Sequence, residues 1–72
     1  MTTRKANGAS IRVIRELTGI SLTDMAKRSE ISRSYMSLIE CGARQPTSEK
    51  LRLIALGLGV SIEAISYPEV AA

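Results

Sequence analysis

Apolar residues recur along this chain in short stripes at helical spacing, broken by polar turns. Ile11, Ile14 and Leu17 stand three residues apart and predict a helix from about residue 8 to 18, with those three as its buried stripe and Asn7 as its N-cap. Arg15 lies on the side of Ile11, four residues on, so burying it calls for a charged partner. Gly19 ends the helix and Ile20 returns the chain to the core. Residues 21–42, SLTDMAKRSEISRSYMSLIECG, then read as two helices of about two turns each, joined by a tight turn. Ser21 stands at capping distance from Asp24, and Met25 and Ala26 face inward, Ala26 small enough for another helix to cross closely. Ile31 is the lone apolar residue of the polar turn at 29–32. Ser32 caps the second helix, 33–41, whose inward positions are Met36 and Ile39 and which Gly42 stops.

After the loop at 43–47, Thr47 caps the clearest amphipathic segment: Leu51, Ile54, Ala55 and Leu58 follow at i, i+3, i+4, i+7. Gly57 inside it implies a close neighbour, because glycine there costs about 1 kcal/mol relative to alanine. Gly59 stops that helix, and Ser61 is expected to cap a last short one at 62–66 before Tyr67-Pro68. No strand-like alternation is visible. The expectation is all-α: five helices in one domain over residues 8–66, with a flexible basic arm at 1–7 and a tail at 67–72. The arm, with Arg4 and Lys5, reads either as a frayed terminus or as a basic segment reaching a phosphate or a minor groove. The two helices of residues 21–42 have the proportions of a helix-turn-helix, and helices so short need flanking elements to supply a core.

Composition narrows the function. With 72 residues there is room for one small core. A single cysteine, Cys41, excludes an internal disulfide and a cysteine cluster for a metal, and fits a reducing cytoplasm. Histidine is absent, which removes the commonest general base. No nucleophile–base pair, phosphate-binding glycine loop or metal-ligand spacing is present, so an enzyme is disfavoured and no cofactor is expected. No apolar run is long enough to span a bilayer, and the N-terminus lacks a signal-peptide core. Charge is uneven: residues 1–44 hold eight Lys/Arg against four acidic residues, residues 45–72 two against three. A basic front half fits an anionic partner, although a merely solvated basic surface would give the same balance.

The register of Ile31-Ser32, Ser34-Tyr35, Ser37, Ile39-Glu40 and Gly42, followed by Pro46-Thr47, Leu51, Ile54-Ala55 and Leu58-Gly59-Val60-Ser61, resembles the Xre or Cro/CI-type helix-turn-helix family, the lambda-repressor-like DNA-binding domains. The likeness runs from residue 8 to 66. It implies a lambda-repressor-like fold whose second motif helix, 33–41, enters the major groove of double-stranded DNA. With Met36 and Ile39 inward, Arg33, Ser34, Ser37 and Leu38 face outward as candidate base contacts. For Arg33 a phosphate contact is the other reading, and for Leu38 packing under Tyr35. Ser32, Tyr35, Arg44, Gln45 and Thr47 sit where members of that family touch the DNA backbone. The likeness also implies an Arg15–Glu40 salt bridge joining the first helix to the recognition helix.

Three positions depart from the family pattern. Leu22 stands where a glutamine often braces a phosphate, and Glu30 where glycine is usual in the turn. Cys41 replaces a polar residue and is expected to pack. The resulting expectation is a cytoplasmic, nucleoid-associated transcriptional regulator, a phage or prophage Cro- or CI-like repressor, without a separate ligand or oligomerisation domain and taking no small molecule. A helix-turn-helix used for protein binding, such as an antitoxin or anti-repressor component, would share every core residue. One copy reads few base pairs, so a homodimer on a palindromic operator is expected, assembled in solution or only on DNA. Ile62, Ile65, Tyr67 and Val70 are the candidate dimer surface, with closure of the core by Ile62 and Ile65 as the alternative.

Overall fold

The computed structural model describes residues 3–69. Its elements run β1 (Thr3–Ala6), α1 (Gly8–Leu17), α2 (Leu22–Arg28), α3 (Arg33–Cys41), α4 (Ser48–Leu58), a 3-10 turn (Ile62–Ile65) and β2 (Ser66–Glu69). Every α-helix begins at a side-chain cap: Asn7 accepts from the Ser10 N–H, Ser21 from Asp24, Ser32 from Tyr35 and Thr47 from Lys50. Each bond satisfies one of the backbone donors that a helix start leaves unpaired. The caps therefore mark the four boundaries that the sequence pattern also marks.

The fold differs from five helices at its ends. The segment at 62–65 is a 3-10 turn, and Ser61 makes no side-chain cap bond to it. Thr3–Ala6, expected in the arm, pairs with Ser66–Glu69, expected as the end of the last helix and the start of the tail, in an antiparallel ribbon with Lys5 opposite Tyr67 and Arg4 opposite Pro68. The Asn7 N–H donates to Ile65 O at 2.8 Å and continues that register. Counting back from this bonded pair, Pro68 lies at a position whose nitrogen points away from β1, so its missing N–H costs the ladder nothing. Arg4 clasps the ribbon, donating from Nε to Ser66 Oγ at 2.7 Å and from Nη2 to Ser66 O at 3.2 Å. The Ser66 hydroxyl in turn donates to Ile62 O.

One core unites the helices. Ile11, Met25, Ala26, Met36, Ile39, Leu51, Ile54, Ala55, Leu58 and Ile65 are all buried in it, together with Ala6 from β1. Leu17 is the exception among the expected stripes: it is 82% exposed, because α1 ends there at Thr18 and Ile20 takes up the packing instead. The close neighbour of Gly57 is α2, since a Cβ at Gly57 would lie 2.6 Å from Met25 Cε and 3.3 Å from Arg28 Cβ. Ser29, wholly buried at the end of α2, has no partner for its hydroxyl among the described residues.

Glu30, in the turn between α2 and α3, has φ 57°, the one left-handed residue other than glycine among the described residues. Its Cβ is strained there by about 1 kcal/mol. Glu30→Gly is expected to raise the melting temperature by roughly 4–8 °C. A thermal melt showing a lower value would mean that the Glu30 side chain offsets the strain.

Candidate nucleic-acid interface

The inward pair Met36 and Ile39 fixes the rotation of α3, and its opposite face is what the domain shows to solvent. Arg33 and Ser34 are exposed in its first turn, with Ser37 half-buried one turn on. Leu38 is 40% exposed, so it is not hidden beneath Tyr35. Gly42, at φ 81°, reverses the chain after α3, and the Leu38 carbonyl accepts from Ala43 and Arg44 at 2.9 and 3.3 Å. Tyr35 then ties down the loop that follows, its hydroxyl donating to Gln45 O at 3.2 Å. Arg44, Gln45 and Thr47 are exposed along that loop, and Ser32 is exposed at the head of α3. The structure thus gathers the nine residues expected at DNA on α3 and the loop fastened to it.

Behind this face sits a forked ion pair. Arg15 donates from Nε to Glu40 Oε2 at 2.6 Å and from Nη2 to Glu40 Oε1 at 3.0 Å, while Nη1 donates to Ile20 O at 3.0 Å. Hydrogen bonding to Glu40 holds the guanidinium pKa above its usual range, outweighing the burial that acts against it. The pair therefore joins α1, the α1–α2 turn and α3 through one planar group.

Two expectations fail nearby, and one residue was missed. Cys41 is exposed instead of packed, because it lies on the outer side of the last turn of α3. Ile65 is 0% exposed, and Ile62 is half-buried against the core, so Ile65 cannot belong to a dimer surface and Ile62 offers little to one. Tyr67 is exposed on β2, and Val70 lies outside the described residues. Arg12 was not singled out from sequence, yet it lines a shallow cleft with Leu22, Ser37 and Cys41 beside the outer face of α3. The only sequence signal for it is its spacing from Glu16, with which it pairs at 3.0 Å. Among the described residues no helix is long and apolar enough to cross a membrane, and no cluster of side chains suits a metal ion.

The sequence profile of the helix-turn-helix family matches residues 11–65. The chain belongs to that family. An HTH-type transcriptional regulator of Mycobacterium tuberculosis is 40% identical over 58 residues, which are 81% of this chain and 41% of that protein. This chain thus spans well under half of that relative's length. A second HTH-type regulator, from Sinorhizobium fredii, is 36% identical over 61 residues, 85% of this chain and 79% of that protein. Among solved structures, SinR, a master regulator for biofilm formation crystallised with DNA, is 30% identical with a TM-score of 0.72, over 78% of this chain and 90% of that one. The family is one of transcriptional regulators and not of enzymes. This helix-turn-helix chain is of the Xre or Cro/CI kind, with four α-helices and a small sheet among its described residues.

Proposed function

We propose that this helix-turn-helix chain binds double-stranded DNA in a sequence-specific manner, with α3 in the major groove, and regulates transcription as a repressor by occupying its operator. The observation that carries the reading is the union of two exposed arginines on one surface. Arg33 opens α3, and Arg44 lies in the loop that Tyr35 fastens to it. Arg33, Ser34, Ser37 and Leu38 then meet base edges, while Ser32, Tyr35, Arg44, Gln45 and Thr47 hold phosphates. Ser32 and Thr47 also cap helix starts, whose backbone N–H groups suit an anion. The crystal complex of SinR with DNA supports the same use of a similar fold. Because so small a surface reads few base pairs, two copies occupy a two-fold site with half-sites about 34 Å apart.

Selection of binding sites from random duplexes tests the reading directly. On the selected site, Arg33→Ala is expected to cost about 1–3 kcal/mol and to relax preference at one base pair. Arg44→Ala should instead weaken every sequence alike and reduce the salt slope by about 1. Equal losses on selected and random DNA for Arg33→Ala would move Arg33 to the phosphate contacts. A protein that enriches no sequence at all would overturn the proposal.

A further inference from the structure

Among the described residues, the first strand touches the proposed DNA surface through one hydrogen bond, which strand register sets up. Asn7 and Ile65 form a bonded pair in the β1–β2 register, so the preceding residue, Ala6 opposite Ser66, has its N–H turned away from β2. That N–H donates to Gln45 Oε1 at 2.9 Å. Gln45 is therefore gripped twice, its backbone carbonyl by the Tyr35 hydroxyl and its side chain by β1. An amide group has one acceptor end, and a backbone N–H can bond only to that end. The grip consequently turns the Gln45 Nε2 group away from Ala6. Nε2 makes no hydrogen bond among the described residues, on a side chain that is exposed next to Arg44.

We propose that β1 is a positioning element for DNA-backbone binding: the Ala6 N–H fixes the Gln45 side chain so that its Nε2 donors are presented to a phosphodiester oxygen. This rests on the DNA reading above and adds to it a role for β1 that requires no DNA contact by the strand itself. A glutamine left loose would have to surrender rotamer freedom on binding, and fixing it beforehand removes that cost. The strand can serve as an anchor because it is secured at its far side, through the pairing with β2 and the Arg4 clasp on Ser66. Gln45 is neutral, so the contact displaces no counterion, and its loss should leave the salt slope where it was.

The test is a cycle of Ala6→Pro, Gln45→Met and the two together, titrated onto a random-sequence duplex at several salt concentrations. Proline at position 6 deletes an N–H that β2 does not use, as Pro68 already does on the other strand. Gln45→Met is expected to weaken binding about three- to tenfold, the range of one net hydrogen bond, without changing the salt slope. Ala6→Pro should weaken it about threefold in the Gln45 background and not at all in the Gln45→Met background. Equal losses from Ala6→Pro in both backgrounds, or none in either, would overturn the inference. Gln45→Glu guards against a misfolded Ala6→Pro: it keeps the acceptor for Ala6 but loses the donor, so wild-type binding by Gln45→Glu would overturn the inference as well. Should the wild-type protein bind no duplex, the DNA reading falls and the inference with it. A wild-type protein that binds, with an additive cycle, removes the inference alone.

Discussion

Glu40→Gln should lower the melting temperature by roughly 15 °C, a loss of about 3 kcal/mol. The change keeps the side chain's shape, so what it removes is charge. Arg15 and Glu40 are 13% and 6% exposed, and their two bonds, at 2.6 and 3.0 Å, use both carboxylate oxygens. An amide in that place sets an NH2 donor against a guanidinium donor and leaves the arginine charge buried without a counterpart. A domain of this size has about 5–15 kcal/mol of stability in total, so the expected loss is a large share of it. Raising pH offers no alternative route to breaking the pair from the arginine side. The guanidinium pKa is raised in the fold, so its contribution is complete at every pH below the unfolded arginine's own titration. Replacing both partners, as Arg15→Met with Glu40→Leu, should recover most of the loss, because neither charge is then stranded. An unchanged melting temperature for Glu40→Gln would show that the pair contributes nothing to holding α1 against α3.

What the sequence made legible follows from how local each signal is. A helix start is announced within four residues, and the caps at Asn7, Ser21, Ser32 and Thr47 are all found bonded where their spacing placed them. The stripe of α4 was equally plain, since Leu51, Ile54, Ala55 and Leu58 span two full turns and all are buried. Leu17 misled because periodicity does not say where a helix stops being covered; its turn is the last of α1, and it is left 82% exposed. The ribbon was invisible for a different reason. TRKA and SYPE are four residues each and do not alternate, and their pairing joins positions 62 residues apart through Arg4 and Ser66. The outward face of α3 could be read once Met36 and Ile39 were placed inward. The Ala6–Gln45 bond could not, because it depends on the register of a sheet that the sequence did not announce.

Gly8 carries the other large expected effect, and it reverses what helix propensity predicts. Inside a helix, alanine is ordinarily better than glycine by about 1 kcal/mol. Here a Cβ on Gly8 would clash with Ile39 O and lie 2.7 Å from Glu40 O and 3.0 Å from Glu40 C. These are backbone atoms of the last turns of α3, so no rotamer change clears them; one helix must move off the other. That movement would disturb Ile11, three residues along the same face and fully buried, and would strain the Arg15–Glu40 fork. Overpacking of this kind costs typically about 1–3 kcal/mol and sometimes more, so Gly8→Ala should lose about 3 kcal/mol despite its better propensity. In a melt that is a fall of roughly 12–24 °C. Gly57→Ala is the comparison, because its closest obstacle is Met25 Cε, the far end of a flexible side chain that can swing aside. Its fall should be clearly the smaller of the two. Since the carbonyls that Gly8 admits belong to α3, the helix proposed to read DNA, Gly8→Ala should also weaken DNA binding at temperatures where the variant is still folded. A Gly8→Ala protein that melts at or above the wild-type temperature would mean that α1 does not approach α3 this closely.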